Sequence, residues 1–156
     1  NLIDLIAKIG EKITLRRAKF FNKENGINYS YVHSAVEKNV GKIISVVKLS
    51  NSEKSKEIGA KVAMHIAASN PLGIDKDDLE KKLVEKELEI IKAELLNSGK
   101  KAEMIEKISQ GKINKFISDN TLLNQAWIMD PKMKVSDILQ DVKVLDFIRY
   151  KVGEGV

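Results

Sequence analysis

The chain has 156 residues, 43% apolar and 31% charged, a balance that excludes intrinsic disorder and suffices for one domain with a buried core. No apolar run approaches the ~20 residues that span a bilayer. The absence of cysteine excludes disulfide staples, thiolate zinc sites and cysteine nucleophiles. The net charge of +5 favours acidic partners, nucleic acid or protein.

Leu2 to Ile9 carries apolar residues at helical spacing and stops at Gly10. A chain that starts at Asn1 inside such a pattern is expected to be a piece of something longer. Ile13 to Phe21 (ITLRRAKFF) turns to β-branched, aromatic and basic residues and reads as a strand. A turn follows from Asn22 to Asn28, then a period-two strand through Tyr29, Tyr31 and His33, then an apolar central strand from Lys42 to Leu49. Three sequential strands on short connections predict an antiparallel meander.

Ser50-Asn51-Ser52-Glu53 reads as a capping box, opening a helix that runs to about Asn70, before Pro71. Ile58, Val62 and Ile66 form its apolar stripe, with Gly59, Ala60, Ala63, Ala67 and Ala68 leaving room for close packing. Two long charged helices follow. Leu79, Leu83, Leu88, Ile91 and Leu95 line the first; Met104, Ile105, Ile108, Ile113 and Phe116 line the second. Asn97-Ser98-Gly99 between them is a helix stop, so the pair predicts a protruding antiparallel helical hairpin. Leu122 to Asp130 reads as an irregular apolar loop, Val135 to Leu139 as a short helix and Val144 to Val152 as the last strand. The predicted class is α+β: a small antiparallel sheet of three to four strands, packed helices and an inserted helical hairpin. Residues 1–74 and 120–156 are assigned to the core and 75–119 to the hairpin.

Catalytic chemistry needs convergent groups, and the sequence offers few. His33 and His65 have no metal-ligand spacing, so no metal site or cofactor is expected. Gly41-Lys42 and Gly111-Lys112 lack the upstream glycines and the Ser/Thr of a phosphate loop. Asp75, Asp77, Asp78 and Glu80 read as the acidic first turn of a helix. No serine sits on a nucleophile elbow, and no catalytic residue is assigned.

Lys12, Arg16, Arg17 and Lys19 lie near Phe20, Phe21, Tyr29 and Tyr31, which makes a basic RNA-binding domain the rival reading. On a strand, half of those aromatics must face the core, so a solvated basic edge is the simpler account. His65 lies about 60° from Val62 on its helix, at the rim of the apolar stripe, where it either fills the core edge or meets a partner.

The helix Lys61 to Pro71 (KVAMHIAASNP) resembles the AMHIAAxxP helix of bacterial elongation factor Ts, the exchange factor for elongation factor Tu. Other segments agree in order: Leu5 to Glu11 with Arg16 and Arg17, the SYxH strand at Ser30 to His33, and the SGKP turn at Ser98-Gly99-Lys100, with Lys101 in place of proline. Glu103 to Phe116, Gln125 to Pro131 (alanine replacing a usual proline) and the ending Phe147 to Gly155 match as well.

The resemblance implies a cytoplasmic translation factor that promotes GDP release from elongation factor Tu, with no chemistry of its own. The family's intrusive TDFV motif does not occur in this sequence. The chain is therefore similar to the C-terminal part with its dimerisation region, and a homodimer is a further implication. Positions matched to contacts with elongation factor Tu are Ile43, His65, Ile128 and Met129. A membrane is not an expected partner, and nucleic acid is a less expected one. Ile43-Ile44 stands where the family has Ile-Gly, which puts close backbone approach there in question.

Overall fold

Alternation of side chains in INYSYVHSAVE and VGKIISVVKL produces a β-hairpin, β1 (Ile27–Glu37) and β2 (Val40–Leu49), in the computed structural model, which describes residues 1–155. β5 (Val144–Lys151) pairs antiparallel with the other edge of β2, so the sheet order is β1-β2-β5. β2 is central, as its apolar content predicts. The architecture is α+β with this three-stranded sheet and a second, two-stranded one.

Register divides the sheet into two faces. Tyr29, Val47 and Phe147 stand abreast, as do Tyr31, Ser45 and Arg149. This face is covered by α2 (Glu53–Ser69). The contact is close because Gly59 has no Cβ: a methyl there would run into the Tyr29 ring. Val47, Leu49, Ile58, Val62, Ala63 and Ile66 form the buried core with Leu122, Trp127, Val135, Leu139 and Val142. Two polar side chains on this face are satisfied by α2: Ser45 Oγ donates to the Ala63 carbonyl at 2.6 Å, and Arg149 Nε donates to that of Ala67 at 3.0 Å.

The strand expected over Ile13 to Phe21 does not form; these residues have no regular structure. Their side chains hold them across the second face of the sheet instead. Lys19 pairs with Asp146 at 2.6 Å and Arg17 lies 4.8 Å over the Tyr150 ring. Asn28 Nδ2 donates to the Asn22 carbonyl at 2.9 Å. A segment lying over a face has no strand edge alongside it, so β propensity finds no ladder to join. The third place in the sheet goes to β5. α1 (Leu2–Ile9) precedes this strap, capped by Asn1, with no residue buried.

The cap of α2 is also corrected by two residues. Ser52, not Ser50, is the N-cap, and it exchanges side-chain and backbone bonds with Ser55. Ser50 instead bonds Lys143, its amide donating to that residue's carbonyl and its Oγ accepting from that residue's amide, both at 2.9 Å.

α3 (Lys81–Asn97) and α4 (Ala102–Asn120) are joined by a tight turn in which Gly99 takes the left-handed conformation, φ +72°. They pack on each other through Ile91, Leu95, Ile105 and Ile113, a cluster separate from the core. Lys92–Glu106 and Glu94–Lys112 pairs cross between them. At the base, Leu72 donates to the Asn120 carbonyl at 2.8 Å and Leu122 to that of Gly73 at 2.9 Å, closing the two ends of the hairpin on each other.

The loop expected from Leu122 to Asp130 is more ordered than predicted. It contains a 3-10 turn, Leu122–Asn124, and a small hairpin of β3 (Ala126–Trp127) and β4 (Asp130–Lys134). The short helix α5 (Val135–Leu139) follows as expected. No described helix is long and apolar enough to cross a membrane.

Candidate functional site

Gln125, Ala126, Trp127 and Ile128 alternate buried, exposed, buried, exposed. The two inward residues close over α2 at His65. The His65 and Trp127 rings stack at 5.2 Å between centroids, 18° from parallel. His65 Nε2 lies 2.9 Å from Gln125 Oε1.

The tautomer of His65 follows from its neighbour. Gln125 Nε2 donates to the Asp119 carbonyl at 2.8 Å and to that of Ser69 at 3.3 Å, which fixes its Oε1 as the acceptor. Nε2 of His65 therefore carries the proton, and Nδ1 is left buried with no partner among the described residues. Burial holds the His65 pKa below its ordinary 6.5, partly opposed by the bond to Gln125. This is a neutral, structural imidazole. The two carbonyls that Gln125 serves belong to the last turns of α2 and α4, where helix geometry leaves carbonyls without partners. One amide group thus ties two helix ends to the β3–β4 hairpin.

The sequence expectation that His65 lies on the rim of its helix is corrected here: the residue is fully buried. Helical periodicity places it away from the stripe that faces the sheet. It does not register that a distant segment folds over the opposite side.

The hairpin tip is Ile128-Met129, 37% and 47% exposed. A two-residue β turn favours Gly, Asn or Asp, and neither residue has positive φ. An apolar pair in that position does not serve the turn. Met133 on β4 is 37% exposed on the same hairpin. The structure thus brings His65, Ile128 and Met129 into one unit, with Trp127 between them. Ile43 stands apart, in the first half of β2 between His33 and Lys151, and is half-buried. Trp127 and Gln125 were not singled out as site residues. Their signal is the period-two alternation into a lone tryptophan.

The basic and aromatic residues of the RNA reading divide: Lys19 lies 5.0 Å over the Phe21 ring on the strap, but the tyrosines lie elsewhere. Tyr29 and Tyr31 pack against the core under α2, while Phe20 is 87% exposed on the strap. Lys19 and Arg17 are engaged with Asp146 and Glu154. Among the described residues, no three His, Asp or Glu groups gather as metal ligands. Asp75, Asp77 and Asp78 cap and occupy the 3-10 turn Lys76–Asp78, with Asp78 Oδ2 accepting from the Ile74 and Asp75 amides.

The family model described as elongation factor TS matches residues 1–154. Elongation factor Ts of Caulobacter vibrioides is 36% identical over 167 residues, covering 100% of this chain and 54% of that protein. That of Nitrobacter hamburgensis is 39% identical over 164 residues, 98% of this chain and 53% of the relative. That of Rickettsia prowazekii is 36% identical over 168 residues, 100% and 54%. The chain spans about half the length of the curated relatives it matches.

Proposed function

This chain belongs to the elongation factor Ts family, and we propose that it supplies part of the surface by which such a factor binds elongation factor Tu and promotes GDP release. It acts in the cytoplasm as a binding module, without covalent chemistry. Residues 1–74 and 120–156 act as the core and 75–119 as a helical arm. An exchange factor works by linkage: it binds the nucleotide-free partner more tightly, and so lowers nucleotide affinity by the same coupling energy.

The observation that carries the reading is the exposed Ile128-Met129 pair on a turn that does not call for apolar residues. It rests on the buried Trp127–His65–Gln125 platform. A rigid apolar anchor loses little conformational entropy on docking. In this reading Ile128 and Met129 touch elongation factor Tu, and His65 acts from below by holding Trp127. Ile43 is a separate, half-buried contact.

Titration against elongation factor Tu loaded with a fluorescent GDP tests both parts. Ile128→Ala with Met129→Ala weakens binding by about tenfold or more, with little change in thermal midpoint because both residues are exposed. Unchanged affinity in that variant overturns the assignment of the tip. Lacking a TDFV motif, the chain accelerates GDP release poorly. A release rate equal to that of a full-length factor overturns that expectation.

A further inference from the structure

The strap over the second face of the sheet ends in a cleft unrelated to the hairpin tip. Residues 12–17 there face the start of β2 and the segment from Tyr150 to Glu154, enclosing about 380 Å³. Five cationic side chains line it, Lys12, Arg16, Arg17, Lys42 and Lys151, against the single carboxylate of Glu154. That carboxylate is already engaged, by Arg149 at 2.9 Å and by Arg17 at 3.6 Å. The Arg16 guanidinium reaches only the Glu154 carbonyl, at 3.4 Å. Among the described residues, Lys12, Lys42 and Lys151 form no ion pair. Five cations around one carboxylate that is already engaged leave this hollow with an excess of positive charge.

We propose that the cleft is a binding site for a small oligophosphate, a ligand with clustered phosphate groups. Phosphate oxygens accept charge-assisted bonds from guanidinium and ammonium groups in the number this cleft offers. The cations converge from three separate stretches of chain onto one concavity; they do not run along a track, as a nucleic-acid backbone requires. The one ring in the lining, Tyr150, is covered by Arg17 and gives a base no platform for stacking. The cleft shares no residue with His65, Trp127, Ile128 or Met129, so this site and the proposed docking of the hairpin tip stand or fall separately; only the Ile43 contact, between Lys42 and Ile44, lies beside it.

Calorimetric titration of the 156-residue chain with inorganic tripolyphosphate, and in parallel with a short uridine oligonucleotide, tests the site. Saturable binding of tripolyphosphate is expected, with a rise in thermal midpoint as the ligand selects the folded state. Lys42→Gln with Lys151→Gln weakens it by about tenfold or more, and both residues are exposed enough for the fold to survive. Lys100→Gln with Lys107→Gln removes the same charge from the helical hairpin and leaves affinity within about twofold. Equal losses in the two double variants, or no saturable binding, overturn the proposal. An oligonucleotide bound far more tightly than tripolyphosphate also overturns it, in favour of a nucleic-acid surface.

Discussion

Replacing His65 by alanine removes a fully buried imidazole, stacked on Trp127 at 5.2 Å and bonded to Gln125 at 2.9 Å. The void resembles other large-to-small core substitutions, which cost about 2–5 kcal/mol. Lost ring stacking adds about 0.5–1.5 kcal/mol. Gln125 Oε1 is stranded at about 1–3 kcal/mol, but the orphaned Nδ1 disappears together with a penalty of similar size. The polar effects nearly cancel, leaving the void and the stack to decide, at roughly 2–4 kcal/mol after partial collapse. At about 2–4 °C per kcal/mol for a chain of this size, the midpoint drops by about 4–16 °C. Trp127 is the only tryptophan, so its emission reports this contact directly and shifts to the red in the native baseline. His65→Phe keeps a ring on Trp127 and loses less. An alanine variant melting within about 2 °C of the parent, with unshifted emission, refutes the buried stack.

The same imidazole sets a pH dependence. Burial holds its pKa below 6.5 in the folded state, so as pH falls through about 6.5 the unfolded chain takes up a proton that the folded chain refuses. Stability falls in that window and levels off below the folded-state pKa; urea unfolding of His65→Phe lacks this component if the assignment holds. At the start of α2, Ser52→Ala costs about 1 kcal/mol. Glu53→Ala, which removes an exposed pair with Lys56 and one first-turn carboxylate, costs less, about 0.5 kcal/mol; the reverse order in denaturant midpoints places the cap elsewhere. Gly59→Ala destabilises by about 1–3 kcal/mol through the collision with Tyr29. The better helix propensity of alanine returns at most about 1 kcal/mol. A more stable Gly59→Ala variant contradicts the packing of α2 on β1.

Periodicity made the helices and three of the strands legible, because all but α1 bury one face and so write their own spacing into the sequence. Val47 and Leu49 on β2, and Ile58, Val62 and Ile66 on α2, are core residues at the positions their spacing predicts. Ile13 to Phe21 failed because residue type reports fitness for a pleated surface and not whether a strand edge is vacant. Side-chain bonds from Lys19, Arg17 and Asn28 decided its course. Ser50 reads as the cap in the sequence because Glu53 follows it by three residues. Its role was settled by Lys143, ninety-three positions away. His65 misled for a related reason: its helix carries two buried faces, and only the one toward the sheet was visible as an apolar stripe.

That second buried face gives the candidate site its character. An apolar residue in place of His65 would satisfy packing but would leave Gln125 Oε1 without a donor. Without Gln125 in this position, the Asp119 and Ser69 carbonyls would lose the donor that bridges them. The polar contacts therefore form a chain in which each member fixes the orientation of the next: two helix-end carbonyls orient the amide, the amide selects the Nε2–H tautomer, and the imidazole plane seats Trp127. Trp127 precedes Ile128 directly, so the direction of the exposed tip is set by bonds reaching into α2 and α4 as well as by the turn itself. A tip built only on β3 and β4 would have the two pairings Ala126–Lys134 and Trp127–Asp130 to hold it, and a hairpin that short is marginal in water. Rigidity at Ile128 and Met129 is thus inherited from the core, and a substitution at Gln125 disturbs the tip without touching its surface.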